Sequence, residues 1–311
     1  MILLLVALFV GGALGLAIPA RRRWLDGLRH LTFFSVLLVV GVQGVLLAAS
    51  GVLDTGASSL VLHALALGLL LAFMTVVVVE LPARWWRRVS SPAREEETTQ
   101  PQAARPMQTA LLLLLVLAAG GAAGLAWQPL GAWLAERSMW PLAFLLACIG
   151  ADLGAQRRTV GRALLAGRAF FGVALLALVG ALLAGALAAW LLPYPPAALI
   201  AGALGMGFYS LTGPLVTELA DAEVGTVVFL ANLFRELSAM VLTPLIARWG
   251  ASVGLAAAWG GATAMDSTLP FLHRSYGPEG VVAGLAVGVT LSLLVPLLLP
   301  LAFAAAGWLG G

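Results

Sequence analysis

The hydrophobic positions of this chain form long unbroken stretches, unlike the alternating pattern of half-buried strands or the one-sided pattern of surface helices. Eight stretches reach or approach the roughly 20 residues that an α-helix needs to cross a bilayer. They lie at 1–19, 31–50, 58–80, 108–127, 139–155, 163–192, 224–247 and 279–306. The pattern therefore predicts an all-α polytopic membrane protein with about eight transmembrane helices.

Two more apolar stretches, about 197–220 and 251–270, are broken by glycine, proline, hydroxyl and acidic residues. If both cross the bilayer, the chain has ten spans; if both are re-entrant, it has eight spans and two hairpins. The re-entrant alternative puts Asp221 and Glu223 outside and Arg248 inside. It agrees better with the tendency of arginine to stay on the cytoplasmic side, so we favour it.

Composition strengthens the membrane assignment. Hydrophobic residues make up 61% of the chain and charged residues 10%, whereas soluble domains carry about 25% charged residues. The net charge of +3 comes from arginines that flank the apolar stretches, so it indicates membrane topology and no nucleic-acid partner. The single cysteine, Cys148, excludes an internal disulfide and a cysteine-rich metal site.

Arginines also orient the chain, because loops rich in them stay on the cytoplasmic side. They cluster in the loops 20–30, 81–107 and 156–168, which predicts that both termini are external. The long polar 81–107 loop is typical of a flexible cytoplasmic linker. It divides the chain into an N-terminal membrane segment with three spans, 1–80, and a C-terminal membrane region with the candidate site, 108–311. Pseudo-symmetry between the two halves is one arrangement that this division allows.

Charged side chains at membrane depth cost roughly 2.5–3.5 kcal/mol each on insertion scales, so a chain keeps them where they are paired, hydrated or functional. The clearest cases here are Glu218, Arg235, Glu236 and Asp266. Arg235 could form a structural ion pair with Glu236 or Glu218, or it could bind a ligand. Asp266 could cap a helix that begins at Ser267, or it could lie in a polar cavity.

Glycine and proline interrupt the helix between Gly205 and Pro214. Broken backbone at membrane depth is tolerated where it is buried in protein or lines a cavity, and its free N–H and C=O groups can then bind polar groups. The alternative is that these glycines only allow close helix packing. The polar side chains that could line such a cavity are Tyr209, Ser210, Thr212, Asn232, Thr263 and Thr268.

Enzyme and metal motifs are missing from the sequence. It contains no phosphate-binding glycine loop, nucleophile motif or HExxH motif, and its three histidines lack metal-ligand spacing. We therefore expect no bound metal or cofactor. A membrane enzyme or a channel is the least favoured class of function.

Four stretches carry a resemblance to a known family. They read GFYSLTGPLVTE (207–218), FLANLFRELSAMVLTPLI (229–246), GGATAMDSTLPFLHR (260–274) and VTLSLLVPLLLP (289–300). In these stretches the chain resembles the LysO (YbjE) family of bacterial lysine exporters. The similarity runs nearly continuously from about residue 200 to the C-terminus.

The resemblance implies export of L-lysine, or of lysine analogues, across the bacterial inner membrane, with a proton as the coupling ion. It aligns Asp266 with an intramembrane aspartate of the family. The family also uses an acid near the end of its second span, where this chain has Ala48; Asp54 is the nearest acid and needs a gap to take that place. A transporter of a different small solute on the same scaffold is the alternative.

The residues and the resemblance together suggest how lysine would be held. Arg235, or the N-terminal ends of broken helices, would bind its carboxylate. Asp266, with either Glu218 or Glu236, would bind its ammonium groups, and the polar side chains named above would complete the shell. Asp266 would alternate between lysine and a proton.

Overall fold

The computed structural model describes residues 2–17, 22–50, 57–81, 106–155, 157, 165 and 167–309. Within these ranges the chain is helical and has no β-strand, which confirms the all-α prediction. The helices are α1 (Ile2–Ala17), α2 (Arg22–Ala49), α3 (Ala57–Thr75), α4 (Pro106–Ala126), α5 (Gln128–Ala135), α6 (Met139–Ala155), α7 (Phe171–Leu191), α8 (Pro196–Leu204), α9 (Tyr209–Leu219), α10 (Ala222–Arg248), α11 (Val253–Gly260) and α12 (Leu269–Leu309). Asp54 and residues 82–105 of the predicted linker lie outside the described residues.

Short irregular turns extend three of these helices. The π-helical turn Val76–Glu80 continues α3, the 3₁₀ turn Arg168–Phe170 leads into α7, and the 3₁₀ turn Gly261–Met265 follows α11. π-Helical turns often mark functional positions. The one after α3 ends at a glutamate that makes a long-range contact described below.

Five helices among the described residues are long and apolar enough to cross a membrane. Together α4 and α5 would count as a sixth, although they are bent by 113° at the break between them. Shorter apolar helices occur in α1, in α6 and in α11 with its 3₁₀ turn. By length and composition the chain is a multi-pass helical membrane protein, and the count of eight or ten spans stays a prediction.

Small residues let the first helices approach one another closely. A Cβ added at Gly11 of α1 would lie 2.1 Å from the carbonyl oxygen of Ala147 in α6. A Cβ added at Gly44 of α2 would likewise lie 2.1 Å from the carbonyl oxygen of Leu117 in α4. Close backbone contact at small residues is a common way for membrane helices to associate. The pairs α1–α6 and α2–α4 therefore form a closely packed scaffold.

The first interrupted stretch folds into a hairpin of α8 and α9, here called the first hairpin. Tyr194, just before α8, donates a hydrogen bond to Oε1 of Glu223 at 3.0 Å. Glu223 stands in the first turn of α10, directly after α9, so the chain enters and leaves this hairpin at the same end of the molecule. Burial and the Glu223 carboxylate raise the pKa of Tyr194 above its ordinary value, which keeps the phenol protonated and able to donate.

The second interrupted stretch forms a hairpin of α11, its 3₁₀ turn and the first part of α12, here called the second hairpin. Tyr276 donates a hydrogen bond to the carbonyl oxygen of Ala251 at 3.3 Å, so the two ends of this hairpin also lie together. Gly277 follows with a φ of 64°. This left-handed position, which suits glycine, separates the hairpin from the long remainder of α12.

The contacts of α3 show that the two hairpins approach from opposite ends of the molecule. Near its start, Nδ1 of His63 lies 2.9 Å from the Tyr194 hydroxyl oxygen, at the root of the first hairpin. At its far end, Glu80 accepts hydrogen bonds from Ser252 N at 3.1 Å and from Ser252 Oγ at 2.6 Å, at the root of the second. About 25 Å of helix separates His63 from Glu80. The two hairpins therefore extend toward each other from opposite ends of the molecule.

Candidate functional site

The tips of the two hairpins meet in the interior. The first tip, residues 206–208, includes positive φ angles of 51° at Met206 and 85° at Gly207. Ala262, in the 3₁₀ turn Gly261–Met265 that forms the second tip, donates its backbone N–H to the carbonyl oxygen of Met206 at 2.9 Å. A Cβ added at Gly261 would lie 2.1 Å from that same oxygen. Glycine at 261 therefore permits the contact that joins the hairpins.

Asn232 of α10 holds the first tip in shape. Its Oδ1 accepts a hydrogen bond from Gly207 N at 2.8 Å, and its Nδ2 donates to Gly202 O at 2.9 Å. The side chain is fully buried. The sequence predicts Asn232 in the shell around a solute, whereas the structure commits its amide to the backbone of the hairpin.

Three threonines of the predicted shell are used inside the tips in a similar way. Thr212 donates from Oγ1 to Phe208 O at 2.8 Å, and Thr263 donates to Gly260 O at 2.9 Å. The hydroxyls of Thr263 and Thr268 lie 3.2 Å apart. Each of these hydroxyls therefore takes part in a hydrogen bond within the tips of the hairpins.

Arg235 reaches from α10 to both hairpins. Its Nη2 donates to Ala258 O at 2.6 Å, and its Nη1 lies 3.7 Å from Sδ of Met206. The side chain is 1% exposed, and its Nε–H is buried without an acceptor. Among the described residues Arg235 forms no ion pair, so the ion pair considered with Glu236 or Glu218 is absent.

Glu236 and Asp266 come together through Ser267. The Ser267 hydroxyl donates a hydrogen bond to Oε1 of Glu236 and lies 3.2 Å from Oδ1 of Asp266. Oδ1 of Asp266 also accepts from the backbone N–H of Ser267 at 2.5 Å. A helix cap would accept from the N–H two or three residues further along. Asp266 therefore does not cap a helix that begins at Ser267.

The two carboxylates differ in their access to solvent. Glu236 is 3% exposed, and its Oε2 is buried without a partner of good hydrogen-bond geometry, although the Tyr209 side chain lies beside it. Asp266 is exposed at its own surface yet surrounded by protein at longer range. The pair therefore consists of a buried acid, Glu236, and an exposed acid, Asp266, that a solute can reach.

Tyr209 is a predicted site residue that the structure brings to these acids. It opens α9, and its ring packs edge to face on Phe229 with 5.5 Å between the ring centroids. The phenol is close enough to interact electrostatically with Glu236 and Asp266. Ser210 is buried beside it at the start of the same helix.

Glu218 lies apart from this site. It follows Tyr209 by about 13 Å along α9 and accepts a hydrogen bond from the hydroxyl of Ser138. It lines a separate cavity of about 530 Å³. The structure therefore does not bring Glu218 to Asp266, and of the two glutamates considered it is Glu236 that lies beside Asp266.

The resemblance to the lysine exporters predicts an acid near the end of the second span, and this chain has Ala48 there. Ala48 faces α4, where its Cβ lies 3.0 Å from the position of a Cβ added at Gly124. Asp54, the acid that would need a gap to substitute, lies outside the described residues. The polar side chain of α2 in this region is Gln43, which faces α9. Its Nε2 lies 3.1 Å from the position of a Cβ added at Gly213.

The sequence pattern does not single out Ser267, Ser138 or Gln43. The sequence does offer a signal for Ser267, because its hydroxyl directly follows the intramembrane Asp266. The sequence also offers a signal for Gln43, which is an amide inside an apolar stretch. Burying an amide costs free energy, as burying a charged side chain does. Ser138 offers no such signal, because its partner lies 80 residues away in the chain.

Known proteins match this part of the chain. A family model described as lysine exporter LysO matches residues 114–303, which include both hairpins, α10 and the two carboxylates. This chain belongs to the LysO lysine exporter family. The family match thus covers the elements that form the site, and it begins after α1, α2 and α3.

Two curated relatives are similar over part of their length. Lysine exporter LysO of Escherichia coli (strain K12) is 36% identical over 157 residues, 50% of this chain and 52% of the relative. A putative lysine exporter of Haemophilus influenzae (strain ATCC 51907 / DSM 11121 / KW20 / Rd) is 30% identical over 111 residues, 36% of this chain and 56% of the relative. The chain spans about half the length of the curated relatives it matches. No solved structure matches it.

Proposed function

We propose that this protein exports L-lysine across the bacterial inner membrane in exchange for protons. The observation that carries the proposal is the pair of carboxylates, Glu236 and Asp266, bridged by Ser267 beside the meeting point of two opposed hairpins. Acidic side chains kept inside a membrane mark substrate and proton paths. Membership of the lysine exporter family supports lysine as the solute.

Lysine has groups that match this site. Its ammonium groups would contact Asp266 and Glu236, with the Tyr209 phenol as a further polar contact. Its carboxylate would find a donor in Arg235, whose Nε–H lacks an acceptor. Because Arg235 is nearly inaccessible, this contact requires the tips to move apart as the solute passes.

A proton exchanged for lysine would remove the electrical cost of export. Lysine leaves as a net cation against an inside-negative potential, which costs about 2.3 kcal/mol per charge per 100 mV. One inward proton per lysine makes the step electroneutral. Asp266 can perform the exchange because it is accessible and can hold either an ammonium group or a proton, but not both.

Two hairpins from opposite ends suit alternating access. In many transporters the substrate site lies at broken helices between repeats of opposite orientation. Here each hairpin would close the site from its own side, and the 2.9 Å contact between Ala262 N and Met206 O would seal it. With arginine-rich loops on the cytoplasmic side, the first hairpin enters from outside and both termini are external.

The proposal is tested by efflux of labelled lysine from proteoliposomes that contain the purified full chain. We expect efflux that accelerates when the outside is made acidic, and that falls at least tenfold in Asp266→Asn and Glu236→Gln. Glu136→Gln is the matched control, because that glutamate is exposed and paired with the adjacent Arg137. Lysine efflux that is equally fast in Asp266→Asn would contradict the assigned role, and efflux indifferent to pH would contradict proton exchange.

A second candidate is export of a different small solute on the same scaffold. The side chain of Ala48, which faces Gly124 where the resemblance expects an acid, favours this candidate. Competition for efflux by unlabelled arginine, ornithine and lysine analogues separates the two. Stronger competition by one of these than by lysine would select the second candidate.

A further inference from the structure

The cavity beside Glu218 is distinct from the site at the hairpin tips. Its volume of about 530 Å³ is within the range of roughly 300–1,000 Å³ typical of small-molecule sites. The polar groups on its wall include Glu218, Thr217, Ser138 and Gln128, and alanines and a leucine supply the apolar remainder. It lies where α5, α9 and the end of α2 meet, at the end of α9 opposite Tyr209.

In the part of the chain that the structure describes, the Glu218 carboxylate has no cationic partner. Its carboxylate accepts a hydrogen bond from Ser138, and among the described residues no arginine comes within ion-pair distance of it. The nearby Arg137 is paired with Glu136 and lies over the ring of Trp133. A carboxylate in a partly enclosed cavity favours a cation as its occupant.

A second observation concerns a smaller cavity that adjoins this one. Gln43 of α2 is 1% exposed, and neither its Nε2 nor its Oε1 has a hydrogen-bond partner. It lines a smaller cavity that shares Ser138, Thr217 and Glu218 with the larger one. The Thr217 hydroxyl is also buried without a partner. Buried amides and hydroxyls are nearly always satisfied, so these groups favour a polar ligand in the adjoining cavities.

Gln43 also lies between the cavity and the tip site. One turn before it on α2, Val40 packs in the same apolar cluster as Tyr209. Along α9, Gly213 faces Gln43, with Tyr209 one turn before it and Thr217 one turn after it. Polar side chains thus run from Glu218 through Thr217 and Gln43 to Tyr209.

We propose that this cavity is a second binding site for the ammonium group of a cationic amino acid, separate from the Glu236–Asp266 site. Glu218 binds the ammonium, and the buried Gln43 amide lies beside it in the adjoining smaller cavity. The alanine and leucine walls accommodate an apolar stem of the kind that lysine carries. In the predicted orientation the cavity lies on the external side, where it would hold the solute as it leaves. This inference rests on the proposed transport function.

Metal ions are a poorer match for the cavity. Hard cations such as Ca²⁺ take six to eight oxygen ligands at close range. The cavity offers a single carboxylate in a volume of about 530 Å³, much of it lined by methyl groups. An organic ammonium needs only a few hydrogen bonds and gains from apolar contact along its stem.

The test is equilibrium binding of labelled lysine to the purified full chain in detergent, with the number of sites per chain as the readout. We expect two sites in the wild type and one in Glu218→Gln. Gln43→Leu should weaken the second site at least tenfold, and it should not harm folding because it replaces a buried amide without partners by an apolar side chain. Glu136→Gln should keep both sites, since it removes a nearby carboxylate outside the cavity.

The outcomes separate this inference from the proposed function. One site in the wild type that is lost in Glu236→Gln and unchanged in Glu218→Gln would overturn the second site and leave the transport proposal intact. Two sites of which Glu236→Gln removes one, with Glu218→Gln removing the other, would support both. Displacement of the Glu218-dependent lysine by sodium chloride but not by choline chloride would assign the cavity to an alkali ion and overturn the choice of ligand. No lysine bound at any site would overturn both proposals.

Discussion

The role of Asn232 can be tested by removing its amide. Asn232→Leu keeps a similar shape but leaves the Gly207 N–H without its acceptor and takes one of two donors from Gly202 O, which still accepts from Gly205 N at 3.2 Å. A buried group left unpaired costs about 1–3 kcal/mol, and an ordinary hydrogen bond contributes about 0.5–1.5 kcal/mol. The substitution should therefore destabilise the first tip by about 2–4 kcal/mol.

Hydrogen exchange at the tip measures this loss directly. Since about 1.4 kcal/mol corresponds to a factor of ten, amides in residues 202–208 should exchange at least about 25-fold faster in Asn232→Leu than in the wild type. Thr290→Val is the matched control: it removes a buried hydrogen bond of 2.7 Å to the carbonyl oxygen of Ala286 within α12. The control should leave exchange at residues 202–208 unchanged.

Transport kinetics add a second criterion. If Asn232 only shapes the hairpin, Asn232→Leu should lower the maximal rate of lysine efflux more than it changes the half-saturating lysine concentration. The reasoning is refuted if exchange at residues 202–208 stays at the wild-type rate while the half-saturating concentration rises. That result would return Asn232 to the solute-binding shell that the sequence predicts.

Three further substitutions test other contacts. Ser267→Ala removes the hydroxyl between the two carboxylates, so lysine efflux should fall at least tenfold while the melting temperature of the purified protein stays close to that of the wild type; unchanged efflux would show that the bridge is incidental. Glu80→Gln weakens charge-assisted hydrogen bonds to Ser252 and should lower the unfolding free energy by about 1.5–3 kcal/mol, and a double-mutant cycle with Ser252→Ala should show coupling between the two side chains. Gly11→Ala should lower the melting temperature, because its Cβ would lie 2.1 Å from a backbone oxygen, whereas Gly12→Ala, with 3.9 Å to its nearest neighbour, should not; equal melting temperatures would contradict the packing of α1.

The pattern of the sequence carries the fold class and part of the site. Unbroken apolar stretches are enough to predict a helical membrane protein, because lipid leaves few alternatives for such surface. The cost of intramembrane charge likewise marks Glu236 and Asp266 from their sequence positions alone. The pairing of these two acids is not predictable in the same way, because it depends on a serine in the second hairpin reaching across to α10.

Other parts of the site depend on tertiary contacts that the sequence does not reveal. A hydroxyl such as Thr212 in a broken helix can serve a solute or the broken backbone itself, and only the fold shows that its partner is Phe208 O. Glu218 and Glu236 are equally expensive in a membrane, yet α9 carries the first away from Asp266. The position of Gln43 near the site is visible only in the fold, because Gln43 faces Gly213, which is distant in the chain.

Helix α3 connects the roots of the two hairpins through hydrogen bonds near its start and just after its end. It is tied to the root of the first hairpin through His63 and to the root of the second through Glu80. A rigid helix held at both ends cannot slide along its axis without pressing on one root and pulling on the other. Under the alternating access proposed above, any such shift would act on the two hairpins at the same moment and in opposite senses, so that one would open as the other closes.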